Sequence, residues 1–342
     1  MIKKIAIGFV IVLVGLLIWQ HELVGYGLMQ ARGQLIVIMG AQPIDSFLES
    51  PDFPDSLKNK LQLIKEIRQF SIDSLGINGG DSYKSLFDQK GKTTLWNLSA
   101  CEPFQLEAKK WNFPFLGSFS YKGFFDLEMA KVEQKQLKAE GFDTRIRSVS
   151  GWSTLGWFDD PILSNMLKRS EGQLAEVIIH ELTHGTLYIK DSVDYNENLA
   201  TFIGEKGAER FLIRRYGQES NQYLEYIQSE SDYKKYISHF IRGAKLLDSL
   251  YNSDSMEAEL KKKNQLKEQL IRAIVINVDT IDFYQPNKYK NRFDRQLPNN
   301  TYFMSFLRYH SKQDVFENEF KMTFDQDIKS YLTFLKEKYP SL

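Results

Sequence analysis

The sequence has a single cysteine, Cys101, among 342 residues. A lone thiol cannot close an internal disulfide, and a cysteine-rich zinc module is excluded with it. The absence of disulfides does not itself assign a compartment, because a domain of this size does not need them. Excess charge is missing too: 44 basic and 44 acidic side chains cancel. A nucleic-acid binder normally carries a basic surplus, so no nucleic-acid partner is expected. No repeat, low-complexity tract or Pro/Ser-rich linker divides the chain. What is present is 42% apolar residues and 13% aromatics, enough for a real core and too many for disorder.

One long apolar run stands at the N-terminus. Lys3 and Lys4 precede residues 5–19, which carry no charge and end at Trp19. As a helix this run rises about 22 Å, short of a hydrocarbon layer of about 30 Å. Lysine snorkelling and bilayer thinning can cover the difference. Three readings compete: an uncleaved signal-anchor, a cleaved signal peptide and a buried terminal helix. Gly25-Tyr26-Gly27 is a poor cleavage site, and no cysteine follows for lipid attachment. The expectation is a membrane-anchored protein, held by one N-terminal helix, with its catalytic domain on the periplasmic side of the inner membrane. Residues 1–22 form the anchor or signal segment and 23–342 a single domain, the membrane being a partner only through that helix.

Beyond the anchor the pattern predicts an α+β chain that is mostly helical. A helix is expected over 23–39, where Gln30, Arg32 and Gln34 interrupt the apolar residues, and another over 56–75. Strands are expected over 93–98 and 145–155, with turns and irregular strands in the aromatic block 111–125 between them. Helices return over 125–140 and dominate 219–278.

The chemistry lies in the helix that opens at Ser170-Glu-Gly-Gln173, a capping box. That helix is expected to end near Lys190. Within it stands His180-Glu181-Leu182-Thr183-His184, the H-E-x-x-H pattern. A spacing of four stacks two imidazoles on one helical face, where both reach one metal ion. Glu181 lies close enough to act on water at the metal without binding the metal. With only five histidines, a chance match is expected at about half a percent. Zinc in a peptidase needs a third protein ligand and an open fourth position. Glu197 stands thirteen residues beyond His184, room for a turn and an antiparallel return. It also fits as a helix cap with Asp194. A carboxylate aimed at a cation is worth more than a cap, so the ligand reading is preferred. His239 and His310 are rivals without a local pattern.

His180-Glu-x-x-His184 followed by Asn196-Glu197-x-x-Ala200 resembles the gluzincin branch of zinc metallopeptidases. More closely, the chain is similar to the bacterial "putative aminopeptidase" family. Further motifs carry the likeness: Trp111-x-Phe-Pro-Phe-x-Gly117, Tyr121-x-Gly-x-Phe125, Ser153-Thr-Leu-Gly-Trp-Phe-Asp-Asp-Pro161, Gly204-x-x-Gly207-Ala208, Pro298-Asn-Asn300 and Tyr309. The resemblance implies a zincin-like domain with a small mixed sheet whose edge strand precedes the H-E-x-x-H helix, residues 153–157 taking that place. It implies one zinc ion on His180, His184 and Glu197, and a peptide substrate cleaved as by an aminopeptidase. Glu181 is the expected base, and Tyr309 the first candidate to stabilise the oxyanion, ahead of Tyr302, Asn300 and His310. Glu102, Glu205 and Asp160 are candidates to receive a substrate ammonium. Thr201 replaces an acidic residue of the wider gluzincin pattern, leaving Thr201, Glu205, Asp194 or a carbonyl to support a histidine. The alternatives are an endopeptidase of the same fold and a silent, membrane-anchored binding protein with a structural zinc.

Overall fold

Apolar residues spaced by three and four decide most of the architecture. The computed structural model describes residues 20–113, 117–149 and 159–339. Helix α1 (His21–Gly40) leads into strand β1 (Ala41–Pro43), short helix α2 (Ile44–Glu49) and helix α3 (Asp55–Leu75). Along α3, Leu61, Ile64, Ile67, Ser71 and Leu75 form one buried stripe. The helix stops because Gly76 takes φ +69, a left-handed cap that returns its N–H to the Ser71 carbonyl.

Short strands follow: β2 (Ser85–Phe87), β3 (Trp96–Cys101), β4 (Trp111–Phe113), β5 (Gly117–Phe119) and β6 (Lys122–Phe124). Helix α4 (Leu127–Ala139) is capped by Asp126, and β7 (Asp143–Ser148) and β8 (Ile162–Leu163) complete the strands. Central β3 pairs antiparallel with β6 and β7, which sets Asn97 between Gly123 and Arg147. A mixed sheet joins β1 antiparallel to β2, and β2 parallel to β8. Edge strand β8 leads through one 3-10 turn to helix α5 (Glu171–His184). The rest is helical: α6 (Val193–Tyr216), α7 (Asn221–Tyr251), α8 (Leu260–Ile276), α9 (Asn300–His310), α10 (Gln313–Phe324) and α11 (Ile328–Lys338).

The chain is therefore mostly helical with small sheets, an α+β arrangement. The main core joins α3, α5, α6, α10 and α11 through Leu61, Ile64, Ile178, Phe202, Phe320 and Tyr331. An aromatic core around Tyr236, Phe240, Tyr302 and Phe306 joins α7 to α9, and a third backs the β3 sheet onto α4.

Three expectations need correction. The strand expected over 93–98 begins three residues later, because the chain is still leaving the turn at Lys90-Gly91 and the Thr94 hydroxyl accepts from the Gln89 side chain. The strand expected over 145–155 runs from Asp143 to Ser148, set by its pairing with β3; residues 150–158, including the proposed edge strand 153–157, lie outside the described residues. The membrane-anchored placement is overturned: among the described residues no helix is long and apolar enough to cross a membrane. Residues 5–19 lie outside the described residues. Helix α1 is instead a wall of the protein, with Tyr26 and Gln30 both donating to the Gly123 carbonyl, each at 3.0 Å.

Candidate metal centre and cleft

Helix α5 is fixed at both ends. Ser170 accepts from the Gln173 N–H at 3.3 Å, and Gln173 Oε1 accepts from the Ser170 N–H at 3.4 Å, so the capping box forms. At the other end the helix stops at His184 rather than near Lys190. Thr186 causes this by folding back, its Oγ1 donating to the Leu182 carbonyl at 2.8 Å and its N–H to Thr183 at 2.9 Å. The early stop places both histidines in the last two turns, where a short connection brings α6 alongside.

Three consecutive residues of α6 then act in three directions. Asn196 clamps the connection, accepting from the Ile189 N–H at 2.9 Å and donating to the Ile189 carbonyl at 2.7 Å. Glu197 turns toward the histidines. Asn198 is fully buried and donates to the Asp194 and Arg308 carbonyls, while accepting from the Lys312 N–H at 2.9 Å. It thereby holds the end of α9, which carries Tyr309. Farther along, Gly204 meets the Glu176 carbonyl and the His180 Cβ. Since Glu197 meets His184 while Gly204 meets Glu176, the two helices run antiparallel in close contact.

His180 Nε2 and His184 Nε2 lie 3.2 Å apart, and Glu197 Oε2 is 3.4 Å from the first and 3.6 Å from the second. A tetrahedral ion with ligand bonds of about 2.0–2.1 Å has ligand–ligand edges of about 3.3–3.4 Å. The triangle is therefore the size of one face of such a shell. Two neutral imidazoles facing each other through Nε2 and sharing one carboxylate oxygen have lone pairs that converge on a common point. A cation satisfies all three, so the group fits a metal ion. Few groups support the two rings from behind. Among the described residues, His184 Nδ1 is buried without a hydrogen-bond partner. Among the described residues, neither Thr201, Glu205 nor Asp194 is hydrogen-bonded to either ring; Glu205 pairs with Lys234 at 3.0 Å and Asp194 faces Arg308 at 3.7 Å.

Electrostatics follow the same geometry. Burial alone would raise the Glu197 carboxyl, but hydrogen bonds to His180 and His184 and their charge outweigh it and hold the group well below the usual carboxylate range. Burial opposes charging of His184, yet the Glu197 hydrogen bond and charge raise it. Burial raises Glu181, against the pull of His180 and His184, and Glu197 adds to the rise.

These side chains open into a cavity of about 900 Å³. Its floor holds His180, Glu181, His184, Glu197 and Tyr188. One wall is α1, through Tyr26, Gln30 and Gln34; the other is the β3–β7 face, through Asn97 and Arg147, with Phe113, Phe119 and Tyr121 beside it. Tyr309 also lines it, its ring 6.5 Å from that of His180 and its hydroxyl accepting from Arg147 Nη2 at 3.0 Å.

The structure thus brings together His180, Glu181, His184, Glu197 and Tyr309, and sets the rivals aside. His239 Nε2 is bound to the Ile274 carbonyl at 2.7 Å. His310 is half-buried and outside the cavity, its pKa pushed down to about 4 by desolvation first and then by the neighbouring Lys234 and His180. Tyr302 bonds Tyr236 within the aromatic core, and Asn300 is fully buried between Tyr251 and the Glu102 carbonyl. Glu102, Glu205 and Asp160 do not line the cavity. Sequence reading missed Arg147, Asn97 and Asn198. Alternation along 143–148 could have flagged Arg147, but its orientation depends on pairing with residues fifty positions away.

No curated protein and no solved structure matches the chain. A family model does match, over residues 25–338, a span that holds the candidate metal ligands and all of the cavity lining described except Leu23. That family is described by a hydrolase activity, and the chain belongs to it: "Putative aminopeptidase".

Proposed function

We propose that the chain is a zinc-dependent peptidase of the gluzincin type, with a zincin-like catalytic domain over residues 23–342. The observation that carries this is the convergence of His180 Nε2, His184 Nε2 and Glu197 Oε2 at 3.2–3.6 Å beside Glu181, inside one cavity. His180, His184 and Glu197 would hold the ion. Zinc in that position supplies a Lewis acid that polarises a peptide carbonyl and makes water easier to deprotonate.

The side chains do the rest. Glu181 takes a proton from the attacking water onto a carboxylate oxygen as the new carbon–oxygen bond forms. It then delivers that proton to the leaving nitrogen as the carbon–nitrogen bond breaks. Tyr309 donates a hydrogen bond from its hydroxyl to the carbonyl oxygen as negative charge builds there, and keeps its proton. Two facts support this role: its oxygen already accepts from Arg147, leaving its own proton for another partner, and burial raises its pKa, so it stays protonated. Arg147 and Asn198 are positioning residues for Tyr309.

The test is Glu181→Gln. This variant should keep stoichiometric zinc by elemental analysis while cleaving a mixed peptide library at least about a hundredfold more slowly. His184→Ala should instead lose the metal. Undiminished cleavage by Glu181→Gln rejects the mechanism.

A further inference from the structure

The cavity lacks what an ammonium-binding site needs. Apart from Glu181 and Glu197, no carboxylate lines it among the described residues. Residues 1–19, 114–116, 150–158 and 340–342 contain no Asp or Glu, so they cannot supply one. Both lining carboxylates are already engaged, one with the two imidazoles and one as the base. A substrate's free amino terminus would meet no fixed negative charge.

An anion would meet a prepared one. Arg147 is the single Lys or Arg side chain lining the cavity among the described residues. Its guanidinium has five N–H donors, and among the described residues its one side-chain hydrogen bond is to Tyr309. It makes no ion pair among the described residues. Asn97 stands directly across the strand pair, on the same face, and its side chain also lines the cavity. A planar fork beside an amide donor matches a carboxylate.

Distance fixes what kind of carboxylate this is. The guanidinium carbon is 5.7 Å from the Tyr309 ring centre, which is 6.5 Å from that of His180, so the two ends are at most about 12 Å apart. An extended peptide advances about 3.3–3.6 Å per residue, so this gap holds no more than about three residues. We propose that Arg147, with Asn97, binds the free C-terminal carboxylate of a short peptide and places the bond to be cut one to three residues upstream. This rests on reading the cleft as a peptidase site, and it makes the C-terminus, rather than the N-terminus, the end that is recognised.

Calorimetric binding to zinc-loaded Glu181→Gln protein tests it without turnover. The probes are N-acetyl-trialanine, its C-terminal amide, and an amidated N-acetyl peptide with one glutamyl side chain. The free acid should bind about ten- to a hundredfold more tightly than the amide, as a charge-assisted hydrogen-bond pair does. Adding Arg147→Met should level the two, and Arg147→Lys should restore part of the difference. Equal binding of acid and amide overturns the proposal with no need of the Arg147 variants. So does an acid preference that survives in folded Arg147→Met, and equally tight binding of the glutamyl amide overturns the terminal assignment. Cleavage by the unsubstituted protein is read separately: acid preference without cleavage supports the carboxylate site while removing the peptidase reading, and cleavage without acid preference does the reverse.

Discussion

Gly204 sits where α6 presses on α5 beside the metal centre, and alanine there is a stringent perturbation. A Cβ would lie 2.9 Å from the Glu176 carbonyl oxygen and 3.2 Å from the His180 Cβ. Neither neighbour is the end of a flexible side chain, so the helices must part by several tenths of an ångström. Inside a helix, Gly→Ala ordinarily stabilises by about 1 kcal/mol. Overpacking costs about 1–3 kcal/mol, so the balance should be a net loss of about 0–2 kcal/mol. Each kcal/mol lowers Tm by about 2–4 °C in a larger domain. The second effect is on the metal. Ligand distances tolerate about 0.2 Å, and α6 carries Glu197 while α5 carries both histidines, so zinc should bind about ten- to a hundredfold more weakly. Scanning calorimetry reads the first effect and titration against a competing chelator the second. Gly25→Ala in α1 is the control, because among the described residues nothing lies within 4 Å of its added Cβ, and it should be neutral or stabilising. A Gly204→Ala protein that melts higher than its parent and holds zinc as tightly would refute the reasoning.

Asn198→Ala removes a fully buried amide that holds two carbonyls and one N–H. It should cost about 2–4 kcal/mol by urea denaturation, and a loss below about 1 kcal/mol would remove the stapling role. Stability should also fall with rising pH. Burial first, then neighbouring carboxylates, push Glu176 up to about 7 and Glu230 up to about 9. The folded state thus holds protons that the unfolded state has released above about 4.5, and stability declines as pH climbs through about 7 and then about 9. Glu230→Gln should flatten the alkaline part of that decline in melting curves taken from pH 6 to 9; an unchanged decline would show that the slope arises elsewhere.

The grouping of His180, His184 and Glu197 was legible because its parts are local. His180 and His184 need only helical spacing, and Glu197 needs only that the next helix return alongside. The helix ends were less legible. The stop at His184 depends on Thr186 turning its hydroxyl onto Leu182, which competes with the helical periodicity that runs on to Ile189. Arg147 and Asn97 could not be placed together for a different reason. Their shared face exists only once β3 and β7 pair, and no local pattern specifies that partnership. Likewise α1 reads as a lone amphipathic segment until Tyr26 and Gln30 reach Gly123.

Asn196, Glu197 and Asn198 are adjacent, and successive helical side chains point about 100° apart. One tethers a loop, one faces the paired rings and one grips the end of α9. Lengthening or shortening the 185–192 connection by a single residue would spin all three away from their partners together. This stretch is exposed in places, yet its length should prove as intolerant of change as any core position.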